Sequence, residues 1–208
     1  MKNHTIYILI IVFSFNCSSS KNVMSTSFSS EETKRIMKFD SIKPMRVFKI
    51  NNKKDSLLLR LKSGYIKPND KDLVLQQFIK RLYITVRDSI SMGVGIAAPQ
   101  VGILKNIIWV QRFDKNNSPF EVYLNPKIVS FSNKKQTLKE GCLSIPNRTE
   151  TLHNRSYSIT IEYDTIEATH KTETITGFTS VIFQHEIDHL NGILYLDHLK
   201  NDLNKTKL

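Results

Sequence analysis

TSVIFQHEIDHLNG, residues 179–192, places apolar Val181, Ile182, Phe183, Ile187 and Leu190 at the spacing of a helix that turns a broad face inward. Thr179 or Ser180 offers a capping hydroxyl at its start, and Asn191-Gly192 a C-terminal stop. The helix carries His185-Glu186-Ile187-Asp188-His189. Two His four residues apart share one helix face, so both imidazoles can reach one metal ion, and Glu186 is placed to take a proton from a water on that ion.

Two ligands do not complete a catalytic site, which normally has three protein ligands and one open position. In one common pattern a third His follows three residues after a Gly; Gly192 fits, but Tyr195 stands where that His belongs. In another, a downstream Glu completes the set, and no Glu follows Glu186. Asp197, His198 and Asp202 remain downstream. Upstream, Cys142 lies in the turn-like run EGCLSIP at 140–146, and a thiolate is a strong ligand for a divalent transition metal. It is the better candidate, with His153 and His170 as alternatives.

A third segment, GVGIAAPQVG at 93–102, alternates Gly with apolar residues. That suits a strand whose backbone stays free to pair with an extended peptide. Neither dinucleotide nor Walker spacing is present. The Gln100 amide could bond backbone or donate to an oxyanion.

Around these segments the chain is expected to form an α+β domain. Asp70 would cap a helix with Leu75, Ile79, Leu82, Val86 and Ile90 on its buried face. Short β-branched or aromatic runs at Asn106–Gln111, Phe120–Leu124, Lys127–Phe131, Tyr157–Tyr163 and Lys171–Thr176 predict an antiparallel set. Met45–Ile50 alternates enough for a strand, and Ser56–Leu61 is ambiguous.

The whole chain has 208 residues, 40% apolar and 24% charged, with seven Gly and six Pro. These values fit a globular domain and exclude collagen-like or linker-like chains. Two cysteines, Cys17 and Cys142, are too few for a disulfide framework. The formal charge of +11 comes with no nucleic-acid motif, so it reads as a solvated surface that could assist approach to an acidic ribosomal or membrane surface. The start, Met1-Lys2-Asn3-His4 followed by apolar residues to Phe15 and then Cys17, has the layout of an export signal. Its Cys resembles that of a lipoprotein signal, with Asn16 where a small residue is usual. The reading is therefore a signal over 1–17, a flexible Ser/Thr/Lys/Glu-rich tether over 18–43, a catalytic domain over 44–199 and a tail over 200–208. The expected location is the cell envelope, with the cytoplasm as alternative.

Taken together, GVGIAAPQ at 93–100, EGCLS at 140–144 and QHEIDHLNG at 184–192 resemble the three motifs of peptide deformylases, in order, within a region from Pro44 to Leu199. The resemblance implies antiparallel strands packed around a central helix bearing the His-Glu-x-x-His motif. It implies hydrolysis of the N-formyl group of N-formylmethionyl peptides, by a protein expected to be a monomer. Carried over by position, Cys142, His185 and His189 would hold one divalent ion, ferrous iron by preference, or zinc, nickel or cobalt. Glu186 would be the general base, and the Gln100 amide and Leu143 N–H would stabilise the oxyanion. Backbone of Gly95, Ile96 and Gly141 would pair with the peptide, and Val94 and Val181 would line the methionine pocket. Arg148 and Arg155 depart from the family's spacing, which bears on substrate contacts of that loop. An exported metallopeptidase reusing the site, or a formyl-peptide-binding protein without turnover, are the competing readings.

Overall fold

The computed structural model describes residues 25–88 and 92–205. The expected signal, with Cys17, and Ile90 lie outside the described residues. Strands β1 (Gly95–Ala97), β2 (Ile107–Gln111), β3 (Phe120–Phe131), β6 (Ser158–Asp164) and β7 (His170–Thr176) form a five-stranded antiparallel sheet in that spatial order. Strands β4 (Lys135–Cys142) and β5 (Ile145–Ser156) form a separate hairpin.

The sheet sits between two helices, as its alternation requires. Ile107 in β2 joins Ile96 and Leu124 in a core with α3 (Leu73–Arg87), while its neighbour Ile108 joins Ala97 and Tyr123 in a core with α4 (Gly177–Leu190). Successive strand side chains point to opposite faces, so one strand feeds both layers. From α3 come Leu75, Phe78, Ile79, Leu82 and Val86, and from α4 Ile182, Phe183, Ile187 and Leu190, all buried. Each such side chain contributes about 1.5–3 kcal/mol through removal from water.

Several local expectations are corrected. The cap of α3 is Asp72, whose carboxylate accepts from the Val74 and Leu75 N–H groups at 2.9 and 3.2 Å, not Asp70. Helix α4 starts at Gly177, ahead of Thr179 and Ser180; the Ser180 hydroxyl donates to the Gly177 carbonyl at 2.8 Å. Its stop is as read: Asn191 is the C-cap, and Gly192 has φ +72° and so little room that a Cβ would run into the Arg60 carbonyl. The runs Phe120–Leu124 and Lys127–Phe131 are one strand, with a register shift between Leu124 and Lys127 where Asn125 takes φ +51°. Met45–Ile50 is not a strand; its N–H groups go to the Thr85 hydroxyl, the Gln100 carbonyl and the Ser144 carbonyl. Within the segment read as a flexible tether, Ser30–Met37 forms helix α1, with Ser29 and Glu32 as a capping box and Ile36 fully buried. Lys53–Leu58 is a short helix α2, and α5 (Tyr195–Lys205) runs through the boundary drawn at residue 199.

Candidate metal centre

The hairpin and α4 bring three ligand atoms together. Cys142 is the last residue of β4, paired with Ile145 across the two-residue turn Leu143-Ser144, and that turn is held by Ile50 N–H donating to the Ser144 carbonyl at 3.0 Å. Cys142, His185 and His189 place their ligand atoms within 4.8 Å of one another, with Cys142 Sγ 3.2 Å from His189 Nε2. Burial alone would raise the Cys142 thiol, but the His189 and His185 imidazoles hold it well below its ordinary range. A thiolate and two imidazoles are a donor set for a divalent transition metal. Among the described residues, the buried Nδ1 of His189 and Oε2 of Glu186 have no hydrogen-bond partner. The residues present therefore fit a metal ion.

The alternative ligands go elsewhere. His153 bonds Thr137 on the hairpin, His170 bonds Asp164 in the open, Asp197 pairs with Arg60, and His198 bonds Asp188 at 2.8 Å. The side chain of Asp202 lies outside the described residues.

Support for the ligands comes from residues to which the sequence reading gave no such role. Glu140 lies two residues before Cys142 on β4, hence on the same side of the strand. Its carboxylate meets His185 Nδ1 at 2.8 Å and accepts from Arg155 at 2.7 and 3.0 Å. Nδ1–H bonded to a carboxylate leaves Nε2 free as the ligand atom. Burial works against its charge, yet His185 and Arg155 bring Glu140 down to about 2. Arg155 also donates to Asp188 at 2.7 Å and is 3% exposed. Its unusual spacing thus does not make it a substrate contact; it is a buried prop of the metal site. The hairpin register shifts at this point: Gly141 pairs with Thr149 but Cys142 with Ile145, so Pro146-Asn147-Arg148 bulge from β5, Asn147 at φ +59°.

Above the centre lies a cavity of about 550 Å³. Val94, Gly95, Gln100, Gly141, Leu143, Val181 and Glu186 line it, with Cys142 and His185 at its base. Arg148, singled out for the spacing of its loop, lines it too, as does Phe178, which the sequence reading did not anticipate. His189 is 1% exposed beneath, and the Ile96 side chain is turned into the α3 core, so only its backbone faces strand pairing. Gln100 makes the backbone bond considered for it. Its Oε1 accepts from Ala97 N–H at 2.8 Å, which aims Nε2 at Cys142 Sγ, 3.6 Å away, and at Ser144 Oγ, 3.3 Å away. Glu186 is 4% exposed, and burial raises its carboxyl to about 7 although both imidazoles pull it down.

Known proteins are similar to this chain. A peptide deformylase of Desulforudis audaxviator is 41% identical over 121 residues, 57% of this chain and 76% of its own length. One of Wolbachia sp. subsp. Drosophila simulans is 35% identical over 165 residues, covering 74% and 89%. The class I type b peptide deformylase of Acinetobacter baumannii with Met-Ala-Ser bound superposes with TM-score 0.65 at 30% identity, over 74% of this chain and 98% of that one. The Thermotoga maritima peptide deformylase gives 0.65 at 28%, over 74% and 97%. The profile of the polypeptide deformylase family matches residues 45–205, from the segment that steadies the Cys142 turn to the last turn of α5. The chain therefore belongs to the polypeptide deformylase family of metal-dependent hydrolases.

Proposed function

We propose that the protein hydrolyses the formyl amide of N-formylmethionyl peptides, giving formate and a free amine. The observation that carries this reading is the buried Glu186 carboxyl beside the convergent Cys142, His185 and His189. Those three residues would hold one divalent ion, ferrous iron first, with zinc, nickel or cobalt as alternatives; such an ion lowers the pKa of water and polarises a carbonyl. Glu186, poised near 7, takes the proton of the attacking water as its oxygen bonds to the formyl carbon. It returns a proton to the peptide nitrogen as the C–N bond breaks. The Gln100 Nε2–H and the Leu143 backbone N–H stabilise the charge that develops on the formyl oxygen.

Peptide placement follows from the sheet edges. Among the described residues, β1 is an edge strand and β4 pairs only with β5, so both offer a free side to the cavity. An extended peptide can add there, pairing with backbone of Gly95, Ile96 and Gly141, with Val94 and Val181 beside its methionine. The Met-Ala-Ser peptide bound to the Acinetobacter relative supports a peptide ligand. Every proposed site residue comes from one chain, which supports action as a monomer. The layout of residues 1–17 supports a cell-envelope location anchored through Cys17, and the basic surface supports contact with a membrane or ribosome; a cytoplasmic location is the alternative.

Formate release from an N-formylmethionyl peptide by the metal-loaded full chain tests the reaction. We expect turnover that chelation abolishes and ferrous iron restores. Glu186→Ala should keep the metal and lose about 10²–10⁴ in kcat, whereas Cys142→Ala should lose metal and turnover together. Metal-dependent turnover surviving Cys142→Ala would contradict the ligand set. Peptide binding without formate under any divalent metal would replace hydrolysis with a binding role.

A further inference from the structure

The segment ahead of the family match builds a second face that does not line the catalytic cavity. Helix α1 and the loop to residue 50 expose Lys34, Lys38, Lys43, Arg46 and Lys49, and Lys53 and Lys54 follow at the start of α2. Among these cations stand exposed apolar side chains, Met37 at 49%, Phe39 at 39% and Ile42 at 75%. Most of this face precedes residue 45, where the family match begins, so it lies largely outside that match.

A cavity of about 340 Å³ opens here, lined by Arg35, Lys38, Arg46 and Arg81 with Phe39 and Phe48, and no carboxylate lines it. Of the nearby acids, Asp55 accepts both arms of Arg46 at 2.7 and 2.8 Å and Glu31 pairs with Arg35, while the exposed Asp40 acts on Arg81 through its charge and offsets one of the cations. Lys38 and Lys43 form no ion pair among the described residues. Their ammonium groups lie 5.4 and 4.1 Å from the centre of the Phe39 ring, which Arg81 also approaches at 5.6 Å. Cations crowded on a ring face in place of carboxylates leave net positive potential at the mouth.

We propose that this face docks on an anionic membrane surface, the cavity taking a phospholipid headgroup phosphate while Ile42, Met37 and Phe39 enter the interface. Positive charge ringing exposed aliphatic side chains is the chemistry of interfacial binding. The aliphatic Ile42 at the tip favours lipid over RNA, whose bases would call for stacking platforms. The proposal concerns a folded face and does not rest on the envelope reading of residues 1–17.

Co-sedimentation of the full chain with phosphatidylcholine vesicles, with and without phosphatidylglycerol, tests it. Partitioning should need the anionic lipid and weaken with salt. Lys38→Gln with Lys43→Gln should reduce it on the order of thirtyfold at low ionic strength, from about 1 kcal/mol per charge. Ile42→Ser should reduce it as well, and formate release from a soluble peptide should stay unchanged in all variants. Because each variant keeps residues 1–17, binding carried by that segment alone would be unaltered by the substitutions and would overturn the proposal. So would equal partitioning onto neutral vesicles. Displacement by inorganic phosphate at matched ionic strength would assign the cavity to free phosphate instead, and RNA binding without vesicle binding would assign the face to nucleic acid.

Discussion

The smallest residue in the site sets the position of its most important side chain. A Cβ on Gly95 would lie 2.5 Å from Glu186 Oε1 and 2.8 Å from Ile182 Cγ2. Glu186 Oε2 has no hydrogen bond to pull it back, so packing against the bare Gly95 backbone holds the carboxyl in place. Gly95→Ala should therefore fold and keep its metal, yet lose roughly 10- to 100-fold in kcat through displacement of the base. Formate release alongside metal content checks this, and an unchanged kcat would show that Glu186 tolerates the shift. At this scale the catalytic groups were legible because their spacing is local: His185 and His189 share a helix face, and the failure of the two common downstream patterns turned the search upstream to Cys142, with Asp197, His198 and Asp202 still open. The Arg155–Glu140–His185 chain was not legible. It joins residues 15 and 45 apart in sequence, and no spacing rule reaches across such a gap.

Among elements, α1 reaches the Gln100 turn from outside the family match. Arg35 donates from Nη1 to the Gly102 carbonyl at 2.7 Å, and Phe48 N–H donates to the Gln100 carbonyl at 2.7 Å. Gly102, at φ +76°, sits so close to the Phe48 ring and the Arg35 guanidinium that a Cβ would strike both. The 3-10 turn Ala98–Val101 is thus braced on the side away from the metal. Loss of the brace in Arg35→Ala should lower kcat about three- to tenfold, with KM less affected, because Gln100 acts on the developing oxyanion. Steady-state kinetics beside a melting curve separates this from global instability; equal falls in stability and activity would reduce Arg35 to a structural role. That α1 read as a tether has a physical cause: only Ile36 of its eight residues is buried, so it shows no apolar stripe. The β4–β5 hairpin escaped for a similar reason. Most of its side chains are exposed or half-buried, so the apolar alternation that betrays β2 or β6 is missing. Helices α3 and α4, each packed on the sheet, were legible from that packing stripe.

For the molecule as a whole, a buried charge ties the strands of the sheet together where β2 ends. Arg112 is 1% exposed, bonds both oxygens of Asp114 and of Glu173, and donates to the Tyr123 hydroxyl at 2.6 Å. It ties the end of β2 to β3 and β7, with Glu121 also within 3.3 Å. Replacing it with Met fills much of the volume but leaves three carboxylates facing one another with Lys115 as their remaining cation. Removing one partner of a buried ionic network costs about 3–5 kcal/mol, and at about 2–4 °C per kcal/mol for a chain of this size the melting temperature should fall by roughly 10 °C. The pH dependence identifies the cause. The Arg112 hydrogen bond holds Asp114 below its usual 3.8; burial pushes Glu121 up, but Tyr123, Lys115 and Arg112 bring it below its usual 4.5. Carboxyls depressed in the folded state contribute stability above those ordinary values and lose it as pH falls through them. The wild type should therefore lose this contribution on acidification, while Arg112→Met, left with only Tyr123 and Lys115 to depress Glu121, has less to lose. Melting curves at neutral pH and below pH 3.8 should show the gap between the two proteins narrowing with acid, and a gap of constant size would mean that lost packing, not charge, is what Arg112 supplies.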